Sequence, residues 1–389
     1  MELNQRPKIV AVILLVLLSF YLGYNWQDYS KKIILEQTNQ QSGKLAQDEI
    51  NLINEELSEI ENDFVGEIDR NKIIDGLLAG IVQGLGDPHS SYLSQEESKD
   101  LISELDGKFD GIGVEISLDD GKLTVVSPLK NSPAEKAGLE TKDIILKIDD
   151  KNSQEVSLPE AISLIRGPKG SKVKLLVEKS DHQAKEYEIV RDTIKYDSVS
   201  SKIIEKNGKK ILYIEIIQFG SDTTELFEKV VKNNDLKNID RIVLDLRGNP
   251  GGYLDSSVDI GSHWIDGVIV KEKNKKGEIE ELKSNRKNIL TEIKTVVLVN
   301  GGSASASEIV AGSLQDNQKA KIIGEKTYGK GSVQKLEELS NGGSLRLTIA
   351  KWLTPKDQEI DKNGIKPDIE VIKQENVDNQ LEKALEIEL

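Results

Sequence analysis

Three runs of this sequence, at residues 211–219, 239–246 and 295–300, are almost continuously apolar and too short to be ordinary helices. A strand that is apolar on both faces has to be covered on both faces, which is the condition of a parallel sheet flanked by helices. Residues 225–232 supply a helix between the first two strands, so the carboxyl-terminal half reads as α/β. Three segments in this half are rich in glycine, at 245–252, 301–308 and 328–334, and each lies at the end of a predicted strand or helix. Residues 271–288 are rich in Lys, Glu and Asn and read as a solvated excursion without chemistry of its own.

At 389 residues the chain exceeds one comfortable core, so two or more domains are expected. A hydrophobic fraction of 37% beside 31% charged residues fits a globular body rather than a disordered or multi-spanning chain. The net charge of −15 argues against nucleic acid as a partner, because phosphate neutralisation needs clustered Lys and Arg. There is no cysteine, which removes disulfides, thiolate ligands and a cysteine nucleophile together. His89, His182 and His263 are scattered, none in a pair of ligand spacing, and read as surface or loop residues. No metal and no cofactor is expected, and no internal repeat is present.

The strongest apolar run, 9–22, follows Arg6 and Lys8 and precedes Gly23, Asn25 and Gln27. It is short for a spanning helix, long for a signal segment and lacks a small-residue cleavage site, so it reads as an uncleaved anchor rather than a cleaved signal. A buried core helix is the alternative. The basic residues place the N-terminus in the cytoplasm and the body outside, which predicts a single-pass protein of the cell membrane. Between 40 and 62, Leu45, Ile50, Leu52, Ile53, Leu57 and Ile60 recur at roughly helical spacing, and a second helix follows over 71–85. Gly84, Gly86 and Pro88 stop it. This is a helical arm, a stalk or dimer contact, ending near residue 95.

Residues 108–191 form a compact module with strands expected at 113–118, 123–127, 144–148, 173–178 and 185–190, interrupted by one helix over 158–165. Ser157 is its N-cap, Pro159 lies in its first turn and Gly167 ends it. Few strands and one helix beside an exposed edge can bind an extended peptide by strand addition. Gly111-Ile112-Gly113-Val114 resembles the carboxylate-binding loop of PDZ domains. Ser132-Pro133-Ala134-Glu135-Lys136-Ala137-Gly138-Leu139, then Asp143-Ile144-Ile145, is similar to the turn and strand that follow in such domains. The backbone N–H groups of a glycine-rich turn can hold a chain-terminal carboxylate, which makes Gly111, Ile112, Gly113 and Val114 the peptide-binding candidates.

In the α/β half, 296–300 is a strand, Gly301-Gly302 a turn and 303–315 a helix with Ile309, Val310 and Leu314 among its apolar positions. A serine at that junction sits where helix N–H groups point outward and can stabilise an oxyanion. Ser303, Ser305 and Ser307 compete for the role, and capping the helix is the ordinary alternative for all three. There is no G-x-S-x-G elbow and no histidine in a glycine-rich segment, so a Ser-His-Asp triad is poorly supported. Lys330, between Gly329 and Gly331, is the other candidate base. Burial would lower its pKa from about 10.4 towards 7 to 8, at about 1.4 kcal/mol per unit. Gln334 on the following strand could hold the amine, and a surface lysine is the plain alternative. Residues 324–330 also match most of a P-loop, but Gly331 stands where Mg²⁺ needs a hydroxyl, and a strand-like run at 333–339 follows instead of a helix.

Ser303-Ala304-Ser305-Ala306-Ser307-Glu308 and Thr327-Tyr328-Gly329-Lys330-Gly331-Ser332-Val333-Gln334 resemble the signature of carboxyl-terminal processing, or tail-specific, proteases. The likeness extends to Gly86-Asp87-Pro88-His89-Ser90-Ser91-Tyr92-Leu93, the PDZ module, the loop from Arg247 to Gly252, and Gly364-Ile365-Lys366-Pro367-Asp368. It implies a serine endopeptidase with Ser305 as nucleophile, Lys330 as general base and Gln334 as its orienter. The implied oxyanion hole is the N–H of Ala306 with that of Gly251 or Gly252. The fold implied is multidomain, mixing α/β and α+β. An anchor at 1–24 and a helical arm at 40–95 lead to a PDZ β-barrel-like domain at 96–192, an α/β Ser-Lys protease core at 193–372 and a C-terminal helix at 373–389. The implied partners are protein or peptide substrates with exposed C-terminal tails, the membrane through the N-terminal segment, and a second copy in a homodimer. A PDZ adaptor with a dead protease domain is the alternative. Such a protein should have lost Ser305, Lys330 or Gln334, and all three are present.

Overall fold

The computed structural model describes residues 43–119, 121–179, 181–374 and 377–388. The expected anchor at 9–22 lies outside the described residues, and among these no helix is long and apolar enough to cross a membrane. The described residues before 75 form one compact unit and those from 75 onward a second.

The first unit carries helix α1 (Gln47–Asp63), and α2 (Arg70–Gln83) follows across the division. The second unit opens with strand β1 (Ser91–Leu93), then helix α3 (Gln95–Leu105), whose N-cap Ser94 accepts from the Glu97 N–H while Glu97 accepts from the Ser94 N–H. The next module runs β2 (Lys108–Gly111), β3 (Val114–Asp119), β4 (Lys122–Pro128), α4 (Pro133–Ala137), β5 (Ile144–Ile148), β6 (Lys151–Asn152), α5 (Leu158–Ile165), β7 (Lys172–Glu178), β8 (Ala184–Val190) and β9 (Asp192–Lys195). Its sheet has the order β3-β4-β5-β7-β8, with β6 beside β5, while β2 and β9 form a separate antiparallel ribbon. Ile112, Val125, Ile145, Ile148, Val173, Leu175 and Val177 are fully buried between the sheet and α5. The five expected strands and the helix are all present. The 132–139 segment, read as a turn, contains the one-turn helix α4, because Ser132 caps it, Pro133 starts it and Gly138 ends it in the left-handed region at φ 89°.

The larger domain follows as β10 (Val199–Lys206), β11 (Lys209–Ile216), α6 (Thr223–Asn233), β12 (Arg241–Asp245), α7 (Leu254–Ser262), β13 (Val268–Asn274), β14 (Ile279–Lys283), β15 (Thr295–Val299), α8 (Ala306–Asp316), β16 (Lys321–Gly324), β17 (Ser332–Glu338), β18 (Ser344–Leu353), β19 (Ile369–Glu370) and α9 (Asn379–Glu386). The central sheet has the order β10-β11-β12-β15-β16-β19, antiparallel at β10 and parallel beyond. Every residue of β12 and β15 is buried, as their two-faced apolar sequences require. Arg241 donates to the carbonyls of Ala384 and Ile387 and ties α9 to one face.

A second sheet holds β18 at its centre, paired with β1, β13 and β17, with β14 beyond β13. Its β13–β14 hairpin occupies the stretch read as a solvated excursion. The buried Ile269 and Val270 anchor it to the core, Lys271 and Glu272 are partly buried, and the polar residues from Lys273 onward are mostly exposed. His263 corrects a second reading: it is 5% exposed at the end of α7, with its ring 5.1 Å from that of Phe227. His182 is exposed and His89 partly so.

Candidate active site

Strands β12, β15 and β16 lie side by side and parallel, so the segments that leave their carboxyl ends converge. These are 246–252, 300–305 and 325–331. Asn300 Oδ1 accepts from the N–H of Gly248 at 2.9 Å and of Gly302 at 3.0 Å, fastening the first segment to the second. The Tyr328 N–H donates to the Ser303 carbonyl at 3.0 Å, fastening the second to the third.

The three competing serines part company here. Ser303 is fully buried and donates to the Leu246 carbonyl at 2.7 Å, and Ser307, also fully buried, donates to the Asn249 carbonyl at 2.9 Å. Ser305 is only partly buried, and its hydroxyl does not cap the helix. It holds φ 54°, ψ −115°, a backbone conformation that a side chain tolerates only when its surroundings enforce it. One enforcing contact is Gly251, where an added Cβ would lie 2.7 Å from Ser305 Cβ and 3.0 Å from the Ala306 nitrogen.

The two candidate oxyanion glycines also differ. The Gly251 N–H donates to Asn249 Oδ1 at 2.8 Å. No hydrogen bond within the described residues takes up the Gly252 or Ala306 N–H. Gly252 is pressed against Phe219, whose carbonyl oxygen would stand 2.1 Å from a Cβ there. Asn249, buried and donating to the Ile216 carbonyl at 2.7 Å, thus organises the loop. Sequence reasoning passed over it, although its place inside Arg247–Gly252 was the available signal.

Glu308 was also missed as a working residue. It is fully buried one turn into α8 and accepts four hydrogen bonds: at Oε2 from the N–H of Ser305 and of Lys330, both at 2.9 Å, and at Oε1 from the Gly329 N–H at 2.7 Å and Thr327 Oγ1 at 2.6 Å. Four donors suit an acceptor-only carboxylate, and one oxygen thereby holds the backbones of both candidate residues. Its signal was the acid closing the Ser-Ala-Ser-Ala-Ser-Glu run.

Lys330 is partly buried, its carbonyl accepting from Trp352 Nε1 at 2.8 Å. Burial pushes its ammonium pKa down, the like charge of Arg346 pushes it further, and Glu308 opposes both. The segment is clasped from outside by 361–365: the Lys362 N–H donates to the Gly329 carbonyl at 2.8 Å, and the Ile365 N–H to Thr327 Oγ1 at 2.6 Å. Gly331 meets the Asp361 backbone so closely that a Cβ would fall 2.4 Å from its nitrogen. No helix follows this segment, and β17 takes its place, so the P-loop reading fails on its architecture. Gln334 lies on β17 but donates its amide to Ser332, at 2.7 Å to the hydroxyl and 3.1 Å to the carbonyl. The expected hydrogen bond from Gln334 to the Lys330 amine is not formed.

The Gly111–Val114 candidates line a groove of about 210 Å³ between β3 and α5, with Ile116, Ile162 and Ile165 as its apolar wall and Arg166 at its rim. Gly113 is left-handed at φ 70°, and a Cβ would meet Ser132 Cβ at 2.5 Å, so the loop requires glycine there.

Comparison with known proteins agrees with this architecture. Residues 210–371 match the model for peptidase family S41, 124–179 that for a PDZ domain, and 13–97 that for the activating protease CtpB N-terminal domain. The carboxy-terminal processing protease CtpA of Bacillus subtilis (strain 168) is 36% identical over 332 residues, 85% of this chain and 70% of that protein. The carboxyl-terminal-processing protease of Picosynechococcus sp. is 41% identical over 298 residues, 75% of this chain and 71% of that protein. Among solved structures, the photosystem II D1 C-terminal processing protease aligns with a TM-score of 0.52 and 27% identity, covering 79% of this chain and 84% of that one. The chain belongs to the carboxyl-terminal processing proteases of peptidase family S41, which are serine peptidases.

Proposed function

We propose that this protein is a serine endopeptidase with a Ser305–Lys330 dyad, acting outside the cytoplasm on proteins whose C-terminal tails are captured by the groove between β3 and α5. The observation that carries the reading is the contrast among the serines: two are buried and committed to carbonyls, while Ser305 stands partly exposed at a helix N-terminus. The uncommitted N–H groups of Ala306 and Gly252 support the pair as oxyanion donors. Neutral Lys330 takes the Ser305 proton, Ser305 attacks the peptide carbonyl, and the two N–H groups hold the developing oxyanion. The protonated amine then gives its proton to the leaving nitrogen, and water releases the acyl-enzyme.

The Gln334 amide must leave Ser332 to orient Lys330, so the arrangement described is a resting one. The chain that leads into the PDZ module also touches the loop beside the site. The Ser221 N–H donates to the Leu105 carbonyl at 3.2 Å and Ser221 Oγ to Asp106 at 2.8 Å beside the β2–β9 ribbon, and the Phe219 N–H donates to the Gly251 carbonyl at 2.9 Å. Membrane attachment through 9–22 and a homodimer belong to the same reading. Hydrolysis of an unfolded protein with an apolar tail by the full chain, against Ser305→Ala and Lys330→Ala, tests the dyad. Both variants should be folded and inert. Activity retained by Lys330→Ala removes the lysine as base, and a silent parent supplied with C-terminal peptides favours the adaptor.

A further inference from the structure

Arg346 lies in the middle of β18. Alternate residues of a strand share a face, so it shares one with Ser344 and Thr348; the register to β17 shifts between Thr348 and Ala350, and the alternation does not carry on to Trp352. Trp352 is the residue that holds the Lys330 carbonyl, and Gln334 of β17 stands opposite Thr348 in the register. Arg346 itself faces Leu336 of β17 and Ser91 of β1. The guanidinium therefore lies on the face of the sheet that carries Gln334, the residue read as orienting the candidate base, and its charge is felt at Lys330.

What sets Arg346 apart is the lack of a partner. Each other arginine among the described residues is engaged: Arg70, Arg166, Arg247 and Arg286 by carboxylates, Arg191 and Arg241 by backbone carbonyls. Arg346 is partly buried, makes no ion pair or hydrogen bond among the described residues, and has its Nε buried without an acceptor. Ser91 Oγ, directly across the register, is also buried and unpartnered. Cross-strand neighbours of this kind have Cβ atoms about 5 Å apart, close enough for one ligand to meet both. None of the nearby acids pairs with it, although Glu272 Oε1 is itself buried without a partner. Asp87 accepts from Ser90 Oγ at 2.5 Å and from the His89 N–H at 3.1 Å, and Glu272 stands opposite Trp352, roughly 20 Å along the strand from Arg346. A guanidinium offers five donors in a planar fork and no acceptor, and the group that fits it is a carboxylate.

We propose that Arg346, with Ser91, binds a carboxylate of the peptide substrate beside Lys330 and is a specificity-determining residue of the protease. The proposal rests on the reading of Lys330 as general base. The carboxylate is either an Asp or Glu side chain near the cleaved bond or the α-carboxylate of a short leaving fragment, and both present the same two oxygens.

The test compares the full-length parent, Arg346→Met and Arg346→Lys on one peptide mixture in three forms: untreated, with only the C-terminal carboxylates amidated, and with every carboxylate amidated. Cleavage sites and rates are read by mass spectrometry. The parent should cut carboxylate-bearing peptides with a kcat/KM about 10- to 100-fold above their fully amidated forms, the scale of one charge-assisted hydrogen bond. At a pH on the alkaline plateau of each variant, where the weaker depression of the Lys330 pKa no longer matters, Arg346→Met should lose that ratio through slower cutting of the carboxylate-bearing peptides, and Arg346→Lys should restore part of it. Preference lost on C-terminal amidation assigns the α-carboxylate, and preference surviving it assigns a side chain. Equal losses on all three mixtures in Arg346→Met at plateau pH, or no preference in the parent, overturn the proposal and leave the dyad standing. A parent inert on every mixture overturns both. Binding of the untreated and amidated mixtures to Ser305→Ala separates recognition from turnover, and equal retention of the two also counts against Arg346.

Discussion

The two halves of the active site are built to different standards. Around Ser305 all but the two candidate oxyanion donors are spoken for: Ser303, Ser307, Asn249 and Gly251 are buried or bonded, and the Ser305 N–H is held by Glu308. Around Lys330 only the backbone is fixed, through Glu308, Trp352 and the 361–365 clasp, while the Gln334 amide points to Ser332. On the proposed reading, the nucleophile and oxyanion half is thus preorganised, and the base half is held in place but not aligned. Preorganised donors carry most of the transition-state stabilisation in acyl transfer. Side chains that can rotate between partners are where a regulatory signal acts at small energetic cost.

The comparison is broken most severely on the rigid side. Gly251→Ala would place a Cβ 2.7 Å from that of Ser305 at φ 102°, so the elbow must shift. We expect kcat to fall by about 10²- to 10³-fold, the loss typical of a spoiled oxyanion donor, with a stability cost of about 1–2 kcal/mol. Gly252→Ala meets the Phe219 carbonyl at 2.1 Å and should cost about 3 kcal/mol of stability as well as activity. Steady-state rates with thermal unfolding of both variants check this. Near-parent kcat in Gly251→Ala would show that the glycine is not part of the elbow.

Glu308→Gln attacks the joint between the halves. The amide keeps one acceptor oxygen and turns a donor pair towards either Ser305 and Lys330 or Thr327 and Gly329, leaving two of four donors facing N–H groups. An unsatisfied buried hydrogen bond to such a group costs about 2–3 kcal/mol, so stability should drop by that amount and kcat/KM by about 10- to 100-fold. Denaturant unfolding and kinetics on one preparation decide it: if stability falls and activity does not, Glu308 braces the fold without setting the geometry of the site.

The contrast also explains what was legible in the sequence. The strands of the PDZ module and the central sheet were readable because alternation or two-faced burial leaves a periodic trace, and α5 was bounded by Ser157, Pro159 and Gly167. The β13–β14 hairpin was not, because its exposed Lys and Glu positions outnumber Ile269 and Val270, and its pairing partner β18 lies far off in the chain. Sequence motifs pointed to Ser305 and Lys330, yet spacing alone could not choose among three serines or two glycines, since that choice rests on which hydroxyls and N–H groups are already bonded across segments. Asn249 and Glu308 escaped notice for the same reason: each works by contacts between the segments that leave the strands' ends, which leave no local pattern.

The mildest effect is expected on the Lys330 side and in a pH profile. Burial and Arg346 hold the Lys330 pKa below its ordinary value, so the neutral base is present above that lowered pKa and is lost as pH falls through it. Activity should therefore show an acid limb set by Lys330. Gln334→Glu places a carboxylate two residues from Ser332 on the face shared with Thr348, within reach of the amine if the side chain rotates as alignment requires. An opposite charge favours the ammonium form, so the limb should move to higher pH by about one unit, with kcat at the alkaline plateau little changed. Gln334→Ala should instead lower the plateau by about 10-fold and leave the limb near its parent position, because it removes alignment without adding charge. If neither variant alters the limb or the plateau, Gln334 stays with Ser332 throughout turnover, and Lys330 is aligned by its buried backbone alone.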